Sequence, residues 1–442
     1  MSDSIGVSRT LGEFADPAGA APGTRLSGMA AGLAGSDILR VANEIRALHA
    51  AGRTVFDLTI GDFSPRQFPI PARMARAIQD AVGSGQTNYP PTNGLPELRD
   101  AVRELYARDL ALSYPEGAVT IASGGRALVY GFFRSVCDPG DRVVYGVPSW
   151  NNHHYTHLVG AQGVAIECRP EDRFLPTRES LEKAIAGARL VCLNSPLNPS
   201  GTAIAEQTLR AICERILAEN EARERRGERP LYLLYDQIYW PLAFAGTRHV
   251  TPPGLLPEMA RFTVLVDGIS KAFAATGLRV GWALGPTDVI GRMSAFLGHV
   301  GAWAPRPEQV GTVAFLRDRA ALDEHRAAFR DALGVRLRGL HEGLARLRAE
   351  GLPVECLPPM GAIYLAARFD VLGRRTPQGA VLGTNEDVRR YLLEAAGFGV
   401  VAFEAFGARH LPGWFRLSVG AIGPEQIPEA LPRLATALRE LR

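Results

Sequence analysis

The chain has 442 residues, 46% of them apolar, and a formal net charge of +3, enough for a large core and two or three domains. So small a charge, with no long basic run, argues against nucleic acid or an anionic membrane as partner. No segment reaches the roughly 18 apolar residues of a membrane span.

Residues 1–27 are rich in small residues, lack periodicity and read as a flexible arm without the apolar core of a signal peptide. "SDILRVANEIRALHAAG" (36–52) places Ile38, Leu39, Val41, Ala42, Ile45 and Leu48 on one helical face and stops at Gly52. A short strand, "TVFDLTIG", comes next. Cys137, Cys168, Cys192, Cys213 and Cys356 lack CxxC spacing, against a disulfide framework or zinc ribbon and in keeping with a reducing cytoplasm.

From about 71 to 305, helix-period segments alternate with short apolar runs such as "RLVCLNSP", "LYLLYD" and "RFTVLVDG". Runs that are apolar on both faces and separated by helices predict an α/β fold with a mostly parallel central sheet between helical layers. Ligands of such sheets gather beyond the carboxyl ends of the strands. Asn198, Asp236 and Lys271 stand there. The charged stretch 214–230 predicts a solvated helix ending at Gly227 and Pro230. Beyond 320 two arginine-rich helices, then "VECLPPMGAIYLAARF", the strand "WFRLSVG" and a closing helix predict a smaller α+β domain. Its expected extent is 28–65 plus 320–442, around a large domain at 66–319.

Among 49 lysines and arginines only Lys183 and Lys271 are lysines. An amine can lose its proton and attack a carbonyl, which guanidinium cannot. Lys183 belongs to an exposed amphipathic helix, which leaves Lys271. The commonest carbonyl compound held by a lysine is pyridoxal 5′-phosphate, whose site needs a carboxylate at the pyridine nitrogen, a phosphate cradle, an aromatic plate and donors to the phenolic oxygen. Asp236 closes an apolar run, where a ring proton would partner it. Tyr239 and Asn198 are candidate phenolic-oxygen donors. Gly124 and Gly125 in "IASGGRALVYGFF" open a helix near Arg126 and let amides approach an anion. Arg279 has a fork suited to phosphate, and Trp150 suits the plate. His153, His154 and His157 lack the motif or carboxylate of a metal site, so no metal is expected.

In order along the chain, "TNYPPTNGLPELR", "SGGRAL", "PSW", "NSPLNPSG", "YDQIY", "SKAFAATGLRVGW", "HVGAWAP", "GAIYL" and "FRLSVG" resemble the class I/II pyridoxal-phosphate-dependent aminotransferases of the aspartate aminotransferase-like fold type I. The resemblance runs from about residue 28 to the end. It implies that Lys271 forms the imine with the cofactor, Asp236 partners the pyridine nitrogen, Asn198 and Tyr239 donate to the phenolic oxygen, and Trp150 stacks. It implies a phosphate held by the amides of Gly125 and Arg126, by Arg279, and by Tyr89 from a second subunit of a homodimer with shared sites. Arg416 matches the clamp on the substrate α-carboxylate, with Gly61 and Asn198 beside it.

The implied reaction moves an amino group from an L-amino acid to a 2-oxo acid such as 2-oxoglutarate, with Lys271 carrying the Cα proton. Arg126 inclines the donor toward aspartate or glutamate. A β-lyase, decarboxylase or oxidase on the same scaffold is the alternative, and a cofactor-binding regulator the remote one. Three departures stand out. Gly268 replaces the serine or threonine that many relatives carry three residues before the lysine, with Ser270 adjacent to Lys271. Gln237 replaces an acid after Asp236, and "GDFSPRQF" replaces "GEPDF" near residue 61.

Overall fold

A computed structural model describes residues 26–33, 35, 37–244 and 246–442, apart from the side chains of 37–39. Apart from Leu26 and Ser27, the expected arm lies outside the described residues. The described residues up to Gly35 form a unit of their own. Within it Ser27 caps a single helical turn, Gly28–Ala31, its hydroxyl accepting from the Ala30 amide at 3.2 Å.

The second unit, Ser36–Arg442, opens with the helix Asp37–Ala50, which buries Val41, Ala42 and Ile45. The expected strand shrinks to β1 (Phe56–Asp57). The central sheet comprises β2 (Val119–Ala122), β3 (Arg142–Val147), β4 (Gln162–Glu167), β5 (Ala188–Asn194), β6 (Tyr232–Asp236), β7 (Thr263–Gly268) and β8 (Gly281–Leu284). Their order is β2-β8-β7-β6-β5-β3-β4, and β8 alone runs against the other six. Separate apolar clusters pack on the sheet, Leu233, Tyr235 and Leu265 in one and Leu234, Val264 and Val266 in the other. Alternate residues of β6 and β7 thus enter different cores, the requirement of a sheet covered on both faces.

A four-stranded antiparallel sheet has the order β12-β13-β10-β9, from β9 (Val354–Cys356), β10 (Tyr364–Phe369), β12 (Val401–Ala402) and β13 (Trp414–Ser418). Before β12, β11 (Phe398–Gly399) pairs in parallel with β1. A third cluster joins β10 and β13 to the helices Arg319–Ala349 and Ile427–Glu440.

Two expectations need correction. A single 31-residue helix, Arg319–Ala349, replaces the two expected after 320. Leu333, Leu337, Leu340, Leu344 and Leu347 make one buried stripe along it. The charged segment 214–230 belongs to the helix Glu206–Arg226, capped by Gly227 at φ 67°. That helix is not solvated all round: Ile212, Cys213, Ile216, Asn220 and Arg223 are buried. Asn220 exchanges two hydrogen bonds with the backbone of Leu231, at 2.7 and 2.9 Å, and so fixes the entry to β6.

Candidate active site

Three neighbouring strands deliver polar residues to one edge of the central sheet. β5 ends at Asn194, β6 at Asp236 and β7 at Gly268, after which the turn Ile269–Ala272 carries Lys271. Asn194 donates from Nδ2 to the Asp236 carbonyl at 2.8 Å and accepts the Asn198 amide at 2.8 Å. It thereby orients the loop that bears Asn198 against the end of β6.

Arg416, on β13, is buried and meets this loop from the other sheet. Its Nη1 donates to Asn198 Oδ1 at 3.1 Å and its Nη2 to the Thr59 carbonyl at 2.5 Å. Its Nε is buried with no hydrogen-bond partner among the described residues. The guanidinium lies over the rings of Tyr364 and Phe406, 4.7 and 4.9 Å from their centroids, which fix its plane. Tyr364 and Tyr239 share a hydroxyl–hydroxyl bond of 2.8 Å. Gly61 sits against both groups: a Cβ there would fall 2.7 Å from the Tyr364 hydroxyl and 3.4 Å from Arg416 Nη1. Lys271 Nζ donates to the Gly61 carbonyl at 2.5 Å and lies 5.7 Å from the Phe63 ring centroid.

The electrostatics arise from burial and from three guanidinium groups. Desolvation lowers the Lys271 ammonium to a pKa of about 8; Arg416, Arg126 and Arg279 push the same way, while Asp62 opposes them. Burial raises the Asp236 carboxyl to about 6 against one opposing donor, the Ile238 amide, which reaches Oδ1 at 3.1 Å. Its Oδ2 accepts no hydrogen bond from a described residue. Tyr239 and Tyr364 are both raised by burial, so their hydroxyls stay protonated as donors at neutral pH.

The helix Gly125–Val136 starts directly after β2 and has no side-chain cap, so its first amides are left without a capping acceptor. Gly124 precedes it at φ 85°, and a Cβ there would lie within 3 Å of the Arg279 guanidinium. Arg279 is itself left-handed at φ 55° and anchored by the Thr276 and Ser123 carbonyls at 2.7 and 3.0 Å. The glycine turn and the arginine thus bring uncapped backbone amides and a guanidinium side by side. Arg126 places its guanidinium 5.1 Å from the Trp150 ring centroid. Burial raises the Tyr155 hydroxyl to about 12, with Arg126 and Arg279 opposing the shift and Asp236 adding to it. Tyr89 stands apart: 79% exposed, its ring 4.9 Å from that of Trp303. Lys183 is exposed on the helix Arg178–Ala184.

The model of the family "Aminotransferase class I and II" matches residues 53–434. The chain belongs to this family. It is 32% identical over 436 residues to an aspartate aminotransferase of Rhizobium meliloti (strain 1021), covering 98% of this chain and all of that one. It is 33% identical over 401 residues to a probable aspartate/prephenate aminotransferase of Thermus aquaticus, covering 90% and 96%. The crystal structure of a Rhizobium meliloti aspartate aminotransferase superposes with a TM-score of 0.84 at 31% identity, covering 95% of this chain and all of that one. A Thermus thermophilus aspartate aminotransferase with maleate gives 0.82 at 28% identity, covering 93% and 99%. The fold is therefore that of the type I aminotransferases, and the protein is an aminotransferase.

Several residues of this aminotransferase's site carry no signal of their own in the sequence. Asn194, Phe406 and Thr59 act through bonds or stacking that link distant segments, and Tyr364 was visible only inside "GAIYL". Gly268 has a physical reason. A Cβ there would fall 2.7 Å from the Val280 carbonyl oxygen and 2.8 Å from Gly281 Cα, so no hydroxyl-bearing residue fits without moving β8. Ser270 is buried and its hydroxyl bonds to no described residue.

Proposed function

We propose that this aminotransferase uses pyridoxal 5′-phosphate and transfers the amino group of aspartate or glutamate to a 2-oxo acid such as 2-oxoglutarate. The residues present fit the cofactor: a half-buried carboxylate with a bare oxygen for a ring N–H, a glycine-and-arginine cradle for a phosphate, and a lysine with weakened proton affinity. When bound, the cofactor supplies a carbonyl for an imine with Lys271 and a conjugated ring that accepts an electron pair from the substrate.

The roles of the chain's own groups derive from where they stand. Asp236 holds a proton at the ring nitrogen through its free oxygen. Asn198 has given Oδ1 to Arg416, which leaves Nδ2 to donate, with the Tyr239 hydroxyl, to the phenolic oxygen. Trp150 is the plate. The amides of Gly125 and Arg126 with Arg279 hold the phosphate, joined by Tyr89 of a second copy in a homodimer; the exposed Tyr89–Trp303 pair supports that contribution. Arg416 grips the substrate α-carboxylate with its unpartnered Nε and one Nη, beside Gly61. Lys271, whose ammonium is lowered to about 8 by burial, would hold and move the proton at the substrate Cα through its Nζ. Arg126 faces the distal carboxylate, in keeping with the aspartate aminotransferase names of the relatives. The same reading divides the chain into 28–65 with 320–442 and 66–319, and places it in the cytoplasm.

The observation that carries the reading is the convergence of half-buried Lys271 and Asp236 with buried Arg416, in a chain aligned over 98% of its length with an aspartate aminotransferase. Its test is borohydride reduction and peptide mass analysis, with a panel of amino acids and 2-oxoglutarate assayed for glutamate, ammonia and carbon dioxide. A cofactor adduct at Lys271 with glutamate formed fastest from aspartate is the expected result. No adduct at Lys271, or ammonia and carbon dioxide in place of glutamate, refutes it.

A further inference from the structure

The segment 61–68, "GDFSPRQF", departs from the family pattern, and it is held from two sides. On the side of β13, which carries Arg416, the Ser418 hydroxyl donates to the Ile60 carbonyl at 2.6 Å and the Ser64 amide to the Gly420 carbonyl at 2.9 Å. Backbone meets backbone there, since a Cβ on Gly420 would collide with the Asp62 carbonyl. On the side of the lysine the segment makes two bonds. The Gly61 carbonyl accepts Lys271 Nζ at 2.5 Å, and Asp62 Oδ1 accepts the Thr276 hydroxyl at 2.6 Å together with the Phe63 amide at 2.8 Å. The threonine hydroxyl is the donor, and a carboxylate acceptor makes such a bond short and strong.

Thr276 serves a second group. Its carbonyl accepts Arg279 Nη1 at 2.7 Å, and it lies between two left-handed residues that are not glycine, Ala274 at φ 50° and Arg279 at φ 55°. That conformation is unfavourable for a residue with a Cβ and persists where outside contacts hold it. The Asp62 bond is such a contact, reaching Thr276 from 214 positions away. Gly61 and Asp62, adjacent in one segment, thus grip Lys271 and Thr276, five residues apart in another. Attachment at two points fixes the rotation of the lysine-bearing segment as well as its distance.

We propose that Asp62 is a positioning residue for Lys271: its bond to Thr276 clamps the segment so that the Gly61 carbonyl holds Nζ in place, and the same threonine steadies Arg279. This rests on the role proposed for Lys271 above. The test pulses the full-length, cofactor-free chain with acetic anhydride at one pH and reads acetylation of Lys271 against exposed Lys183, the chain's other lysine, by peptide mass analysis. Thr276→Val removes the hydroxyl, leaves every charge in place, and should raise the Lys271-to-Lys183 ratio about tenfold, the scale of one lost hydrogen bond; Thr276→Ser should restore the wild-type ratio. In the loaded enzyme Thr276→Val should lower kcat about tenfold with little change in KM for aspartate. Asp62→Ala breaks the same bond, so the double variant should fall well short of the product of the two single effects. Thermal melts control for the fold, and Thr276→Ala replaces Thr276→Val if the latter does not fold. A folded variant whose ratio matches wild type, or single effects that multiply in full, overturns the proposal. The borohydride test decides the role of Lys271 separately: no adduct there removes that role and this proposal together, whereas an adduct beside an unmoved ratio removes only the proposal.

Discussion

Gly268→Ser would install the hydroxyl that many relatives carry three residues before the lysine, and the backbone around it opposes the change. Gly268 pairs with Gly281 across β7 and β8, and a Cβ would stand 2.7 Å from the Val280 oxygen and 2.8 Å from Gly281 Cα. Ordinary contact begins near 3.4 Å, so β8 must retreat by more than about half an ångström. It has nowhere to go, because the Cβ position of Gly281 already lies 2.8 Å from the Gly124 carbonyl carbon. The three glycines form a backbone-to-backbone column from the Lys271 turn to the cradle, and the strain reaches both. Overpacking of this kind costs about 1–3 kcal/mol, a fall in melting temperature of several degrees. A displacement approaching an ångström at Lys271 costs up to about 100-fold in turnover. Calorimetry and equilibrium dialysis of the cofactor would measure both effects. A Gly268→Ser enzyme that melts with wild type and retains cofactor equally would refute the steric reasoning.

Lys271→Arg should abolish transamination, by at least about 1,000-fold in kcat, because guanidinium provides neither imine nor base; a thermal melt close to wild type alongside would localise the loss to chemistry. Arg416→Lys should lower kcat/KM for aspartate by about 100-fold or more, since a point charge cannot make the paired bonds and leaves Asn198 Oδ1 and the Thr59 carbonyl under-satisfied; steady-state kinetics would show whether a smaller change demotes Arg416. Asp267 also sets a pH effect. Its folded carboxyl, raised to about 7, lies above the roughly 3.9 of an unfolded aspartate, so between those values the folded cofactor-free chain binds the extra proton and its stability declines as pH rises. Relative to Asp267→Asn, the cofactor-free wild type should lose about 2–3 kcal/mol between pH 5 and 8, and parallel denaturation curves of the two across that range would contradict the assignment.

How far the sequence reveals the molecule depends on the kind of contact that makes each feature. The ends of β5, β6 and β7 were legible because strands buried on both faces read as apolar runs, and the residues just past such a run stand at a ligand edge. Asn198, Asp236 and Lys271 were therefore found from local pattern. Contacts from distant segments were not: Phe406 and Thr59 reach Arg416 from positions that look like any core phenylalanine or strand threonine. The long helix misled for a specific reason. Gly334, Gly339 and Gly343 punctuate Arg319–Ala349 like breaks, yet a Cβ at Gly343 would fall 2.2 Å from Leu431 and one at Gly339 3.7 Å from Ile427. Gly343 is small to admit the helix Ile427–Glu440, whereas Gly339 would tolerate a Cβ at ordinary contact distance, and a packing glycine and a terminating glycine are the same letter. Asp267 illustrates the deeper limit. Within "VLVDG" it reads as the polar stop of a strand, and only folding brings up Tyr106, 161 positions earlier, with Trp240 and Trp282. A buried charge is defined by its donors, and donors brought in from distant elements leave no periodic trace for a one-dimensional reading to detect.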